Sequence, residues 1–110
     1  MSKARIERHS AVIEQDLPGI YAFIARDNPA AAERVLDAVE QTLDQLAEQP
    51  DCGLSYPTRN LKLQSLRMFP VIGFHDYLVF YRVETERVRI LYVTHGARHL
   101  GRLFRREPRA

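Results

Sequence analysis

The last third of the chain contains three apolar runs in close succession, and this feature restricts the possible folds most. The runs are Leu66–Val71, Tyr77–Glu84 and Arg87–Thr94, all rich in the β-branched and aromatic residues that favour strands. The polar tripeptide Glu84–Glu86 joins the last two runs, and a connection of this length suits an antiparallel hairpin. The sequence therefore predicts three consecutive strands of one small sheet.

The last of these strands is apolar on both of its predicted faces. Its alternating residues are Val88, Ile90 and Tyr92 on one face, and Arg89, Leu91 and Val93 on the other. A strand with one face in water alternates apolar with polar side chains. The pattern therefore predicts that this strand lies inside the sheet and not at its edge.

An amphipathic helix is predicted over residues 10–26. Its apolar residues recur at steps of three and four, namely Ile13, Leu17, Ile20, Tyr21 and Ile24. Pro18 lies inside this segment, and a proline in a helix interior costs about 3 kcal/mol. The helix is therefore either kinked at Pro18 or begins properly at Asp16, which would serve as its N-cap.

A second helix is predicted to begin at Pro29, with Asn28 as its N-cap, and to end before Pro50. Its apolar stripe consists of Ala32, Val35, Leu36, Val39, Leu43 and Leu46, and its acidic face of Glu33, Asp37, Glu40 and Asp44. Because the connection between the two helices is so short, they must form an antiparallel hairpin, and a sheet must cover their apolar stripes.

The remaining segments complete a single α+β domain over residues 1–110. Ala4–His9 is predicted to be an edge strand, and Asp51–Gln64 a loop. A short C-terminal helix is expected after Gly96, with Leu100, Leu103 and Phe104 as its apolar contacts. The predicted order is β-α-α-β-β-β and a terminal helix, in two layers, with the helical hairpin packed on a small, mostly antiparallel sheet.

Composition excludes several classes of protein. No apolar run reaches the roughly 18 residues that cross a bilayer, and the first residues lack the hydrophobic core of a secretory signal. Cys52 is the only cysteine, and the four histidines are not spaced like a metal site. We therefore expect a cytoplasmic protein with no metal, no cofactor and no membrane partner.

Charge is distributed unevenly along the chain. Residues 10–51 carry nine acids against Arg26 and Arg34, whereas residues 82–110 carry eight arginines against three acids. Arginine forms forked hydrogen bonds with carboxylates and phosphates. The C-terminal end is therefore expected to meet a polyanion or an acidic partner, although a solvated surface with ordinary ion pairs explains the same pattern.

Several short stretches form a recognisable pattern when they are taken in order. They are Asp16–Leu17, Ile20–Ala25, Asp27–Pro29, Ala31–Ala32, Leu43–Leu46, Arg67–Val71, Tyr77–Val83 and His95–Arg98. Their order and spacing resemble the ParE-like branch of the ParE/RelE superfamily of bacterial toxins. The resemblance covers the chain from about Ile13 to Phe104, and it implies the toxin of a type II toxin–antitoxin pair.

The resemblance also implies a partner. In this family a disordered antitoxin segment folds over the toxin and fills an apolar groove at the helical hairpin and sheet edge. The expected partner is a ParD-like antitoxin, of the ribbon-helix-helix kind, in a hetero-oligomer with the toxin. The residues expected to line the groove are Ile20, Tyr21, Ile24, Leu36, Val39 and Leu43. The same stripe also serves as core, so both roles stay open for each residue.

Two cellular targets are compatible with the resemblance. ParE-like members inhibit DNA gyrase and need only a rigid surface, here the arginines Arg98, Arg102, Arg105 and Arg106. RelE-like members cut ribosome-bound messenger RNA, which requires an acid–base pair and cations around the phosphate. The candidates for that chemistry are Arg67, Arg82, His95 and Arg98.

The nuclease set is incomplete in this sequence. The tail from Leu103 to Pro108 supplies neither a tyrosine nor a histidine, and His99 is the nearest substitute. Arg82 could instead pair with Glu84, and His95 could be a strand-end residue bonded to the backbone. Gyrase inhibition is therefore the leading hypothesis, a messenger RNA endoribonuclease the alternative, and a non-toxic binding module the third.

Overall fold

A five-stranded sheet forms the centre of the molecule in the computed structural model, which describes residues 3–110. In chain order the strands are β1 (Arg5–Arg8), β2 (Leu54–Ser55), β3 (Arg67–Val71), β4 (Phe74–Glu84) and β5 (Arg87–His95). They lie in the order β1-β5-β4-β3-β2; β1 and β5 are parallel, and the other pairs are antiparallel. The predicted α+β fold is confirmed, with β5 inside the sheet and β1 at one edge.

The predicted helical hairpin consists of α1 (Leu17–Ala25) and α2 (Pro29–Glu48). The Asn28 side chain accepts a hydrogen bond from the Ala31 N–H at 3.1 Å, and Pro29 occupies the first helical position, as expected. The stripe of α2 packs on the sheet, and its fully buried members are Ala32, Val35, Val39, Leu43 and Leu46. No helix within residues 3–110 is long and apolar enough to cross a bilayer.

Neither prediction for the start of the first helix was fully right. The chain is helical from Ser10 to Ala25, but residues Val12–Asp16 form a π-helical turn in which the Leu17 N–H bonds the Val12 carbonyl. Asp16 is not an N-cap, because its backbone is helical and its side chain makes no cap hydrogen bond. The wider π turn lets the helix pass Pro18, whose ring would crowd a regular preceding turn.

A β-bulge corrects the alternation predicted for β5. Tyr81 pairs with Ile90, but its neighbour Phe80 pairs with Tyr92, so Leu91 has no partner on β4. Both Leu91 and Tyr92 consequently face away from the hairpin, and Val93 returns to the hairpin side. Tyr92 and Val93 were therefore each predicted on the wrong face.

A second, smaller apolar cluster covers the other face of the sheet. It contains Leu63, Leu66, Phe80, Leu91, Tyr92, Leu103 and Phe104. The short helix α3 (Leu100–Arg106) supplies Leu103 and Phe104, as predicted. The predicted loop over residues 51–64 is more ordered than expected, since it contains β2 and two 3-10 turns, Pro50–Cys52 and Leu61–Leu63.

Gly53 is required by a close approach to the ring of Tyr81. The Tyr81 hydroxyl accepts a hydrogen bond from the Gly53 N–H at 2.9 Å and donates one to the Pro50 carbonyl at 2.8 Å. A Cβ on Gly53 would lie only 2.8 Å from the ring carbon Cε1, and the ring is fully buried. A side chain at this position cannot be accommodated without moving the ring.

We expect Gly53→Ala to lower the free energy of unfolding by about 1–3 kcal/mol, the usual cost of overpacking. Gly19→Ala is the matched control, because a Cβ on Gly19 meets nothing within 4 Å and the residue lies inside α1. Alanine is the better helix former, so this control should gain about 0.5–1 kcal/mol. Urea unfolding of both variants measures the difference, and equal stability would contradict the close approach.

Candidate partner-binding groove

A groove of about 430 Å³ lies between α1 and the ends of β4 and β5. Its lining residues are Gln15, Asp16, Gly19, Ile20, Phe23, Tyr77, Val93, Thr94, His95, Arg98, Glu107 and Arg109. Apolar and aromatic side chains form much of this surface, and a few charged groups lie among them. A concave site of this size and composition is suited to hold the side chains of a partner segment.

The outer face of α1 continues the apolar surface of the groove. Helix α1 has the sequence Leu-Pro-Gly-Ile-Tyr-Ala-Phe-Ile-Ala, with no charged side chain. A helix that is apolar all round is normally covered on all sides. However, Phe23 is 66 % exposed, and Gly19 and Ala22 are exposed beside it. This face therefore has the properties of a surface that another molecule covers.

A buried ion pair forms one wall of the groove. The two guanidinium nitrogens of Arg109 lie 2.6 and 3.1 Å from the carboxylate oxygens of Asp16, and both side chains are less than a tenth exposed. Asp16 also accepts a hydrogen bond from the Val93 N–H at 3.0 Å, and Arg109 donates to the Leu91 carbonyl at 3.0 Å. The pair thus joins the π turn, β5 and the C-terminal tail.

Tyr92 contacts Arg109 and Glu107 and so holds the C-terminal tail against the sheet. The Arg109 guanidinium lies 4.5 Å from the centre of the Tyr92 ring, in cation–π geometry. The Tyr92 hydroxyl accepts a hydrogen bond from the Arg109 N–H at 2.9 Å and donates one to the Glu107 carbonyl. Burial raises the pKa of the Tyr92 phenol, so the hydroxyl stays protonated and can donate. The last residues of the chain are therefore an ordered part of the groove.

Sequence reasoning missed this network. Asp16 was expected to cap a helix, and Arg109 was counted only as one of the eight arginines of the C-terminal end. The two residues are 93 positions apart, and no local pattern links them. Nothing in the sequence indicates that an arginine next to the last residue is buried.

His95 stands on the rim of the groove at the end of β5. Its Nδ1 accepts a hydrogen bond from the Ala97 N–H at 3.0 Å, and its ring packs edge-on against Tyr77 with centroids 5.1 Å apart. The side chain is exposed, and its Nδ1 is occupied by the hydrogen bond to the turn that follows the strand. The arrangement matches the strand-end role that was the alternative to catalysis.

Of the four residues considered for RNA cleavage, His95 and Arg98 both line the groove, whereas Arg67 and Arg82 lie elsewhere. Arg67 lies opposite Tyr81 in register, so Arg82, the next residue on β4, points to the other face of the sheet. Arg82 is also five residues along β4 from Tyr77, the partner of His95, which corresponds to about 17 Å. Within residues 3–110, the four residues therefore form no single site, and no three metal-ligating side chains converge.

The two sheet arginines have structural partners instead. Arg67 donates to the Gly53 carbonyl at 2.9 Å and lies 3.7 Å from the Asp51 carboxylate. Arg82 donates from Nε to Glu84 at 3.2 Å, which is the pairing that the sequence suggested. These contacts fix the loop after α2 and the β4–β5 hairpin.

The arginines expected to contact a target are all at the surface. Arg98 lies on the rim of the groove, and Arg102, Arg105 and Arg106 lie along the exposed side of α3. Within residues 3–110, none of the four forms an ion pair with a carboxylate. Their charge is therefore available to a partner.

The residues expected to line an antitoxin groove divide into two groups. Val39 and Leu43 are at most 2 % exposed and belong to the main core, as does Ile20, which also reaches the groove wall at 9 % exposure. Tyr21, Ile24 and Leu36 are half-buried. Phe23, a large apolar residue of the groove surface that is 66 % exposed, was missed because it falls outside the inward stripe.

Comparison with known proteins decides the family. The model of the family described as "ParE toxin of type II toxin-antitoxin system, parDE" matches residues 8–100. The chain belongs to the ParE toxin family. It is therefore a ParE/RelE-superfamily toxin of the type II toxin–antitoxin class.

Two further similarities agree with membership of the ParE family. The chain is 29 % identical over 83 residues to a protein named Toxin RelE3 from Caulobacter vibrioides, and the match covers 74 % of this chain and 84 % of that protein. The solved structure titled "Chromosomal ParDE TA system from P. aeruginosa" matches with a TM-score of 0.66 at 15 % identity. That match covers 84 % of this chain and 96 % of the other, and it shows that the two share a fold.

Proposed function

We propose that this ParE-family chain acts in the cytoplasm as a toxin that a cognate antitoxin neutralises by covering α1 and the adjoining groove. The apolar, exposed face around Phe23 is the observation that carries the proposal. Burying such a face in water-free contact is favourable by about 25 cal/mol for each Å² of apolar area. An amphipathic antitoxin segment that folds on binding would use the helix-in-groove mode.

The charges around the groove suit an acidic segment. Arg98 is exposed on the rim, and the other cation of the groove, Arg109, is already paired with Asp16. A segment with an apolar stripe for Phe23 and an acid near Arg98 would match the surface. We expect a short neighbouring reading frame to encode this segment as part of a ParD-like antitoxin of the ribbon-helix-helix kind.

We further propose DNA gyrase as the target of the free toxin. Inhibition needs only a rigid binding surface, which the unpaired arginines of α3 supply. The RNA-cleaving alternative requires an acid and a base at one phosphate, whereas Arg67, Arg82 and His95 lie apart. Because the chain is also similar to Toxin RelE3, the RNA-cleaving alternative has to be tested as well.

Expression of the chain in a bacterium tests the toxin assignment directly. We expect growth arrest without the neighbouring reading frame and normal growth when both are expressed. Primer extension on ribosome-bound message in the arrested cells should show no new cuts. If cuts appear and are lost in Arg82→Ala or His95→Ala, the endoribonuclease alternative is correct. If no arrest occurs, the chain is a non-toxic binding module.

A further inference from the structure

An exposed leucine, Leu61, lies in the segment that packs on the face of the sheet opposite the helical hairpin. Leu61 is 79 % exposed and begins the 3-10 turn Leu61–Leu63. Isolated exposed leucines are common on protein surfaces and need no explanation. The neighbourhood of Leu61 differs from such a case in two ways, in the rigidity of its turn and in the charges around it.

The turn that carries Leu61 is held in place from both sides. The Asn60 side chain accepts from the Lys62 N–H at 2.9 Å and donates to the Phe104 carbonyl of α3 at 3.2 Å. Leu63, two residues after Leu61, is fully buried in the second apolar cluster beside Leu103 and Phe104. Leu61 is therefore presented in a fixed position, and a partner need not bear the entropy cost of ordering the turn.

Two cations flank this leucine in sequence, and three more lie on the helix to which its turn is bonded. Arg59 and Lys62 flank it in sequence, and the hydrogen bond from Asn60 to α3 brings it beside the helix that carries Arg102, Arg105 and Arg106. Within residues 3–110, none of these five side chains forms an ion pair with a carboxylate. We call Leu61 together with these five cations the Leu61 surface.

We propose that the Leu61 surface docks on the protein target of the toxin, at an acidic patch with an apolar pocket that receives Leu61. The inference rests on the proposed toxin function and adds to it the anchor residue. Protein–protein interfaces usually combine an apolar centre with a polar rim, and arginine is enriched in them. The net positive charge requires an acidic partner.

A protein fits this surface better than a nucleic acid does. Single-stranded nucleic acids stack their bases on aromatic rings, and duplexes are held through their phosphates. An aliphatic side chain at the centre of the surface contributes to neither mode. It gains binding energy only where a partner offers an apolar pocket that excludes water.

The test uses the full chain and two pairs of substitutions. Leu61→Ser removes the anchor, and Ile13→Ser is its matched control, because Ile13 is 55 % exposed in the π-helical turn, on the hairpin side of the sheet. Arg105→Glu reverses one charge of the Leu61 surface. Its matched control, Arg34→Glu, reverses a charge on the exposed side of α2. All four side chains are at the surface, so we expect every variant to fold, as circular dichroism would verify.

We expect Leu61→Ser and Arg105→Glu to raise the expression level needed for growth arrest about tenfold, with antitoxin affinity changed less than twofold. Ile13→Ser and Arg34→Glu should remain as toxic as the parent chain. Full toxicity of Leu61→Ser would overturn the inference while leaving the toxin function intact. A parent chain that causes no arrest would overturn both.

A second measurement separates protein from nucleic acid. Binding to gyrase holoenzyme and to a gyrase-free DNA duplex of about 30 base pairs is compared in surface plasmon resonance. We expect Leu61→Ser to weaken gyrase binding about tenfold. Tight, salt-sensitive binding of the parent chain to the duplex, unchanged in Leu61→Ser, would identify a phosphate-binding surface and overturn the inference.

Discussion

Replacing Asp16 with asparagine should lower the free energy of unfolding by about 3 kcal/mol. Breaking a buried ion pair at one partner typically costs about 3–5 kcal/mol, because the other charge is left buried and uncompensated. Arg109 is 5 % exposed and keeps the Leu91 carbonyl, the Tyr92 ring and the more distant Glu107 as partners. The lower end of the range applies because the Tyr92 ring and the Glu107 carboxylate still stabilise the guanidinium.

The control for this prediction is an ion pair of similar geometry at the surface. Arg8 and Glu40 form a forked pair with side chains 28 % and 53 % exposed. Exposed pairs contribute about 0–1 kcal/mol, so Glu40→Gln should have little effect on urea unfolding. In the double variant Asp16→Asn, Arg109→Gln the loss should be clearly smaller than the sum of the two single losses. Simple additivity would contradict the buried pair.

Replacing Phe23 with serine should weaken antitoxin binding about 30-fold, which corresponds to about 2 kcal/mol. Phe23 is the largest exposed side chain on the groove, and an aromatic anchor at the centre of an interface contributes most of the binding energy. The stability of the free chain should change by less than about 0.5 kcal/mol, because the ring is mostly in water before binding.

Calorimetric titration with the protein encoded by the neighbouring reading frame measures this affinity. Leu61→Ser is the matched control, since it also removes an exposed apolar side chain but lies on the opposite face of the sheet. If Phe23→Ser binds the antitoxin as tightly as the parent chain does, the antitoxin does not use the α1 groove.

The parts of the fold that follow from local pattern were predicted well. Helix α2 could be predicted without tertiary information, because one segment of sequence contains its apolar steps, the Asn28 cap and the Pro29 start. The three closing strands and the inner position of β5 likewise follow from composition and alternation. Their ends differed by a few residues, as in β4, which begins at Phe74 because a tight turn at Gly73 lets the pairing continue.

The features that decide the site depend on contacts between distant residues. The bulge at Leu91 is visible only once β4 and β5 are paired, and it determines which face Tyr92 occupies. The tail is ordered because Arg109 meets both Tyr92 and Asp16, and each of the three taken alone suggests a different role. Phe23 was overlooked for a related reason, since periodicity identifies the residues a helix buries in its own core and not those a partner covers.

Two surfaces thus emerge on opposite sides of one sheet. The α1 groove is apolar and is proposed for the antitoxin, whereas the Leu61 surface is basic and is proposed for the target. Substitutions that affect only one of the two activities would establish that the surfaces act separately.

The most direct measurement of the central claim is gyrase supercoiling in the presence of the purified chain. We expect relaxed plasmid to stay relaxed as the chain is added, and supercoiling to return when the antitoxin is supplied at equal concentration. Under the same conditions, the chain should leave messenger RNA bound to purified ribosomes intact. Unimpaired supercoiling together with cleavage of the ribosome-bound message would contradict the account.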